Sequence, residues 1–151
     1  MKIDNTNIKI DGSNLKIVII LPYFNESMGN ELLENTKDEL LKNNVKKDNI
    51  KIVRVAGALE IPYAAQTIIK KDKPNAVIAL GIVIRGETTH YDLVTEESHR
   101  GIMKVQLETN TPISFGILGC ENKFQAEERV NKNKLNKGKD AAIAALIQTT
   151  I

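Results

Sequence analysis

The chain alternates between continuous apolar runs and segments whose apolar residues recur every three or four positions. Residues 16–23 (KIVIILPY) are a continuous run rich in Ile and Val, and 50–55, 76–84 and 113–119 are further largely apolar segments that read as strands. Such runs predict strands covered on both faces, as in a parallel sheet. The intervening segments carry a helical period. Residues 26–43 place Leu32, Leu33, Thr36, Leu40 and Leu41 on one side. Residues 61–70 line up Ile61, Ala64, Ala65, Ile68 and Ile69, with Pro62 suited to a first turn. Asp92 or Thr95 is a fitting cap for a helix carrying Val94, Ser98, Ile102 and Val105 as far as residue 109. Residues 123–132 predict another helix. Asn136 caps a last one, in which Ala141, Ala142, Ala144, Ala145 and Leu146 allow close packing. Asn7–Ile10 alternates with period two and predicts a short N-terminal strand.

Strands alternating with helices imply parallel βαβ units with right-handed crossovers and helices on both faces. The predicted fold is α/β: a flavodoxin-like three-layer αβα sandwich with a central parallel sheet of four strands plus the short N-terminal strand. Residues 1–151 suffice for one domain. In this architecture ligands bind outside the carboxyl ends of the strands.

Composition narrows the function. Lys and Arg total 21 against 19 Asp and Glu, too balanced for a nucleic-acid footprint. Aromatic residues are 4% with no Trp, so base-stacking platforms are not expected either. The longest apolar run, residues 17–24, falls far short of the roughly 20 residues a membrane helix needs. The first fourteen residues are polar and read as carrying no targeting segment. With Cys120 as the single cysteine, no intrachain disulfide forms, and a cytoplasmic location is the expectation.

The candidate chemistry lies where the strands should end. After the third strand comes Arg85-Gly86-Glu87-Thr88-Thr89-His90-Tyr91-Asp92. Gly86 lets the backbone approach a ligand, and hydroxyls with amides at a helix start suit a phosphate. His90 beside them has an ordinary pKa of about 6.5, suited to proton transfer. The alternative is a plain turn with a cap and an exposed loop histidine. Phe24 is either a core aromatic closing the sheet edge or a stacking surface for a flat heterocycle. Glu60 is either an N-cap carboxylate or an acceptor for ligand hydroxyls. Arg129 and Lys137 read equally as solvated surface charges. Dinucleotide and P-loop glycine motifs are absent, as are the acidic residues of a phosphoacceptor receiver. Two histidines nine residues apart and one cysteine make a poor metal set, and no serine triad assembles.

Several ordered blocks resemble the 6,7-dimethyl-8-ribityllumazine synthase family: Phe24-Asn25, Gly57-Ala58-Leu59-Glu60-Ile61-Pro62, the run from Gly81 to Asp92, Thr111 to Gly116, and Asn136-Lys137-Gly138. The resemblance implies condensation of 5-amino-6-(D-ribitylamino)uracil with 3,4-dihydroxy-2-butanone 4-phosphate, without metal or organic cofactor. Carried over by residue, Phe24 stacks on the pyrimidine. Asn25, Ala58, Leu59 and Glu60 hold the pyrimidine and ribityl portions, and Val83 and Ile84 line the ring pocket. Gly86, Glu87, Thr88 and Arg129 bind the phosphate, with Arg129 expected in the same pocket as Phe24. His90 shuttles protons and Lys137 lies close to the substrates. Phe115 serves the site of a neighbouring subunit. The resemblance further implies a homopentamer, which some members assemble into shells of twelve pentamers, and residues 1–14 as an arm pairing with a neighbour's sheet. No nucleic-acid or membrane partner is implied. Leu59 stands where an aromatic is common, Tyr23 where a basic residue is frequent, and Cys120 where threonine is usual.

Overall fold

A computed structural model describes residues 8–151. Four strands form one wholly parallel sheet: β1 (Ile17–Pro22), β2 (Ile50–Val55), β3 (Ala76–Ile84) and β4 (Ile113–Cys120), in the order β2-β1-β3-β4. The helices are α1 (Glu26–Lys42), α2 (Ile61–Asp72), α3 (His90–Thr109), α4 (Lys123–Val130) and α5 (Lys137–Gln148). Short 3-10 turns at Lys47–Asn49 and Ala58–Glu60 precede β2 and α2. The three-layer sandwich is therefore as the hydrophobic pattern predicts. Among the described residues no helix is long and apolar enough to cross a membrane.

The strands are apolar on both faces because both faces are covered. Ile17, Ile19 and Leu21 of β1 join Ile78 and Leu80 of β3 beneath Leu32, Leu40, Val130 and Ala142. Val18 and Ile20 alternate to the other side, with Val77 and Ala79, against Ile61, Ala65, Ile102 and Val105. So α1, α4 and α5 cover one face and α2 and α3 the other. Each buried Leu or Ile contributes about 1.5–3 kcal/mol of transfer free energy, which makes this double core the main source of stability.

Several local expectations need correction. Helix α3 begins at His90, not after Asp92 or Thr95, and its N-cap residue, Thr89, makes no side-chain capping bond. Asp92 is inside the first turn because its carboxylate is engaged by Arg85, and the Thr95 hydroxyl donates back to the Tyr91 carbonyl. Helix α4 stops at Val130, two residues early, with extended backbone at Asn131. Leu41 turns outward and is 43% exposed, since Leu32, Leu33 and Leu40 already fill the α1 stripe. No N-terminal strand forms among the described residues of segment 7–10. The Ile10 N–H instead donates to Asn43 Oδ1, just past the end of α1, rather than to a strand. Asn7 lies outside the described residues.

The Asn136 cap holds, and the glycine two residues on explains how α5 seats. Asn136 adopts a left-handed conformation (φ 42°), and its side chain accepts the Lys139 N–H. At Gly138 a Cβ would lie 2.5 Å from the Leu32 carbonyl oxygen and 3.0 Å from the Thr36 nitrogen of α1. The Thr36 hydroxyl donates to both the Leu32 and the Gly138 carbonyls. The start of α5 is thus pressed onto the α1 backbone, which cannot yield. Gly138→Ala should lower Tm by roughly 3–10 °C through overpacking. Gly86→Ala should leave Tm unchanged, because nothing lies within 4 Å of its would-be Cβ and no glycine has a positive φ. A thermal melt of the two variants checks both.

Candidate functional site

The winding of the sheet reverses between β1 and β3, so their carboxyl ends open a crevice. A cavity of about 400 Å³ occupies it. The turn after β1 contributes Phe24, the turn after β2 Ala58, Leu59 and Glu60, and β3 itself Val83 and Ile84. The turn after β3 contributes Gly86, Thr88 and His90, with Tyr91 and Val94 from α3 beyond them. Three turns distant in sequence, with the end of β3, thus bring nine of the predicted site residues around one space.

The two readings of Phe24 separate at once: its ring is 72% exposed at the mouth of the cavity, so it is no core aromatic. It is held from behind. Asn25 takes a left-handed conformation (φ 56°), and its Nδ2 donates to the Ile82 carbonyl at 2.9 Å, tying the turn to β3. Asn25 does not line the cavity; its amide supports the turn that carries Phe24. Arg54 of β2 donates to the Pro22 carbonyl and the Asn30 side chain, and stands 5.4 Å from the Tyr23 ring centroid. The tyrosine in place of a basic residue is therefore matched by a cation from the next strand. Glu60 lines the cavity while its Oε2 accepts the Gly57 N–H at 2.7 Å. Its carboxylate closes the Ala58–Glu60 turn and makes no capping bond to α2.

The turn after β3 ends on His90, the first residue of α3, which is exposed at the cavity. The Thr88 hydroxyl accepts the His90 N–H at 3.3 Å. Gly86 is not required by any unusual dihedral, and nothing lies within 4 Å of where a Cβ would project, so it lines the cavity over open space. Glu87 is exposed and does not line the cavity.

Three other predicted residues lie elsewhere in the chain. Phe115 and Lys137 line a second cavity, of about 490 Å³, along β4 between α3 and α5. There the Phe115 ring stacks on His99 with centroids 5.8 Å apart and an interplanar angle of 23°. His99 Nδ1 lies 2.6 Å from the Thr95 carbonyl. Lys137 is no simple surface lysine: its side chain is 17% exposed and its Nζ donates to Asp140 at 2.8 Å. Arg129 lines neither cavity, contrary to the expectation that it shares the Phe24 pocket. It is half-buried on α4, where Nη1 donates to the Gln125 carbonyl. Burial pushes the Cys120 thiol up, with the Arg129 charge opposing only in part, so Cys120 is an inert core residue.

Pattern reading missed Tyr91 and Val94 as cavity walls and His99 as the partner of Phe115. It also missed Arg54 and Arg85 as braces of two of the turns. The signal for the arginines was faint: each is a cation at or near the end of an apolar strand, where nothing in the chain neighbourhood pairs with it.

Residues 14–150 match the family described as 6,7-dimethyl-8-ribityllumazine synthase. The match spans nearly the whole domain and includes every turn that builds the crevice. The chain belongs to the 6,7-dimethyl-8-ribityllumazine synthase family, transferases of riboflavin biosynthesis.

Proposed function

We propose that this enzyme condenses 5-amino-6-(D-ribitylamino)uracil with 3,4-dihydroxy-2-butanone 4-phosphate, giving 6,7-dimethyl-8-ribityllumazine, phosphate and two waters. The observation that carries the reading is one crevice lined by the exposed Phe24 ring together with Gly86, Thr88 and His90 of the turn after β3. Phe24 stacks on the uracil ring over the apolar floor of Val83 and Ile84. Ala58, Leu59 and Glu60 face the ribityl chain. Gly86 and Thr88 meet the phosphate.

Placement does most of the work. The 5-amino group attacks the ketone, and water leaves to give an imine. Phosphate is then eliminated with loss of a proton, and the ribitylamino nitrogen closes the ring with loss of the second water. Each step moves a proton near the C4 ester, within reach of His90. Aligning two reactants accounts for as much as about 7–11 kcal/mol in favourable cases, and general acid–base assistance adds about 10²–10⁴-fold. His90→Ala should therefore slow kcat by roughly 10²-fold yet remain above the uncatalysed condensation. Following lumazine fluorescence and phosphate release together checks this.

Phe115, Lys137 and Arg129 do not line the pocket of their own chain, so we assign them to the pocket of an adjacent copy in a homopentamer. Exposed Phe124, Leu107 and Tyr63 supply apolar surface for such contacts. Residues 1–14 serve as an arm between copies, and the single buried thiol suits a cytoplasmic setting. Arg129→Ala should raise KM for the phosphorylated substrate by about 10–100-fold, the worth of a charge-assisted bond. Mixing His90→Ala with Arg129→Ala subunits should then restore activity at about one quarter of the sites, because a random pairing joins two intact halves that often. Failure of the mixture to exceed either variant alone counts against shared sites.

A further inference from the structure

Arg85 follows the last residue of β3 and lines no cavity, yet it holds the turn beside it from three sides. Its Nη1 and Nη2 donate to the two oxygens of Asp92 at 3.2 and 3.0 Å. Its Nε donates to Glu121 Oε2 at 2.7 Å. Its Cζ sits 4.2 Å from the centroid of the Tyr91 ring, and its backbone N–H donates to the Cys120 carbonyl at 2.9 Å. One guanidinium therefore joins the end of β3, the first turn of α3 and the turn after β4. Gly86, Thr88 and His90 all lie inside the loop that the Arg85–Asp92 pair closes. The two carboxylates in turn hold the guanidinium above its ordinary range, Asp92 contributing most and Glu121 next.

The fork geometry matters. A planar guanidinium meets a carboxylate through two parallel bonds and lies flat on an aromatic ring, which an ammonium cannot do. Its charge matters as well. Asp92 and Glu121 flank a turn whose proposed ligand is an anion, and without Arg85 both would repel it.

We propose that Arg85 is a positioning residue for the anion end of the pocket. It fixes the Gly86–His90 turn in the shape that presents its amides and hydroxyl to a phosphate ester, and it offsets the negative charge of Asp92 and Glu121. It does so without touching the ligand, since Arg85 does not line the crevice. The assignment of phosphate to this turn rests on the function proposed above; the clamp itself does not.

Arg85→Gln separates these statements. It should raise KM for the butanone phosphate by about tenfold while KM for the pyrimidine moves by less than about twofold. Arg85→Lys, which keeps the charge and loses the fork, should fall between Arg85→Gln and the unsubstituted chain. Adding Asp92→Asn to Arg85→Gln should lower the raised KM, because one unpaired carboxylate disappears. Two KM values that rise together, or neither rising, would overturn the proposal. Hydrogen exchange gives a readout independent of activity. Amides of residues 86–93 should exchange faster in Arg85→Gln than in the unsubstituted chain, with β1 and β3 unchanged. Unchanged exchange there overturns the clamp even in an active enzyme. Faster exchange in a chain that shows no condensation supports the clamp and rejects the proposed function instead. Arg85→Lys and Asp92→Asn carry the same exchange test should Arg85→Gln not fold.

Discussion

Everything at the site depends on β1 and β3 lying side by side and parallel while the connections that follow them lead to opposite faces. Ile17 to Ile20 pair with Ala76 to Ala79, and beyond that register the two chains part. From Pro22 the chain turns up into α1 on one face; from Ile84 it turns into α3 on the other. No third chain fills the space between, because β2 and β4 lie outside the pair. The crevice is thus a consequence of topology, and only its lining is a matter of local sequence. A sheet wound in one direction from the same residues would close that gap with the next connection.

Given the crevice, the chain divides its labour between strands and turns. The floor comes from β3 residues whose side chains would otherwise be core, Val83 and Ile84, so it is apolar and rigid. The rim comes from turns that are each fastened by side chains reaching back into the fold. Asn25 to the Ile82 carbonyl, Arg54 to the Pro22 carbonyl, Glu60 to the Gly57 amide and Arg85 to Asp92 are such fasteners, at least one per turn. A turn left to itself samples many conformations; one bond across its base removes most of them. The residues that position the site are accordingly as polar as those proposed to meet the ligand, and they sit beside them in the chain.

That proximity is why the fold was legible in the sequence and the site only partly so. Strands and helices announce themselves by period, and every one of the four central strands falls within a residue or so of its Ile/Val run. The helix starts are harder: Asp92 resembles an N-cap until Arg85 is seen to claim it, seven residues away and on another element. Phe24 and His90 stand out as chemistry-bearing types at strand ends, and both line the cavity. Asn25 and Arg85 are equally conspicuous, yet their polar atoms are spent on other parts of the fold, the Ile82 carbonyl and the Asp92 and Glu121 carboxylates, which no linear pattern reports. The segment 7–10 alternates like a strand, but alternation names a face and not a partner, and the single chain offers it none. Phe115, Lys137 and Arg129 are placed by resemblance alone, since nothing in their spacing says which cavity they serve.

The electrostatics of the crevice argue that one chain is an incomplete receptor for a phosphate ester. Around the turn after β3 the acidic groups are Glu87, Asp92 and Glu121, and Arg85, the arginine paired with them among the described residues, already faces two of those carboxylates. Amides and the Thr88 hydroxyl alone would have to hold a dianion against that field, at a partly exposed site where each neutral bond is worth only about 0.5–1.5 kcal/mol net. A cation must come from outside the lining. The chain owns suitable ones in Arg129 and Lys137, neither of which faces its own crevice. On the assignment proposed above, they would reach the anion across a boundary between copies, and assembly would complete the pocket.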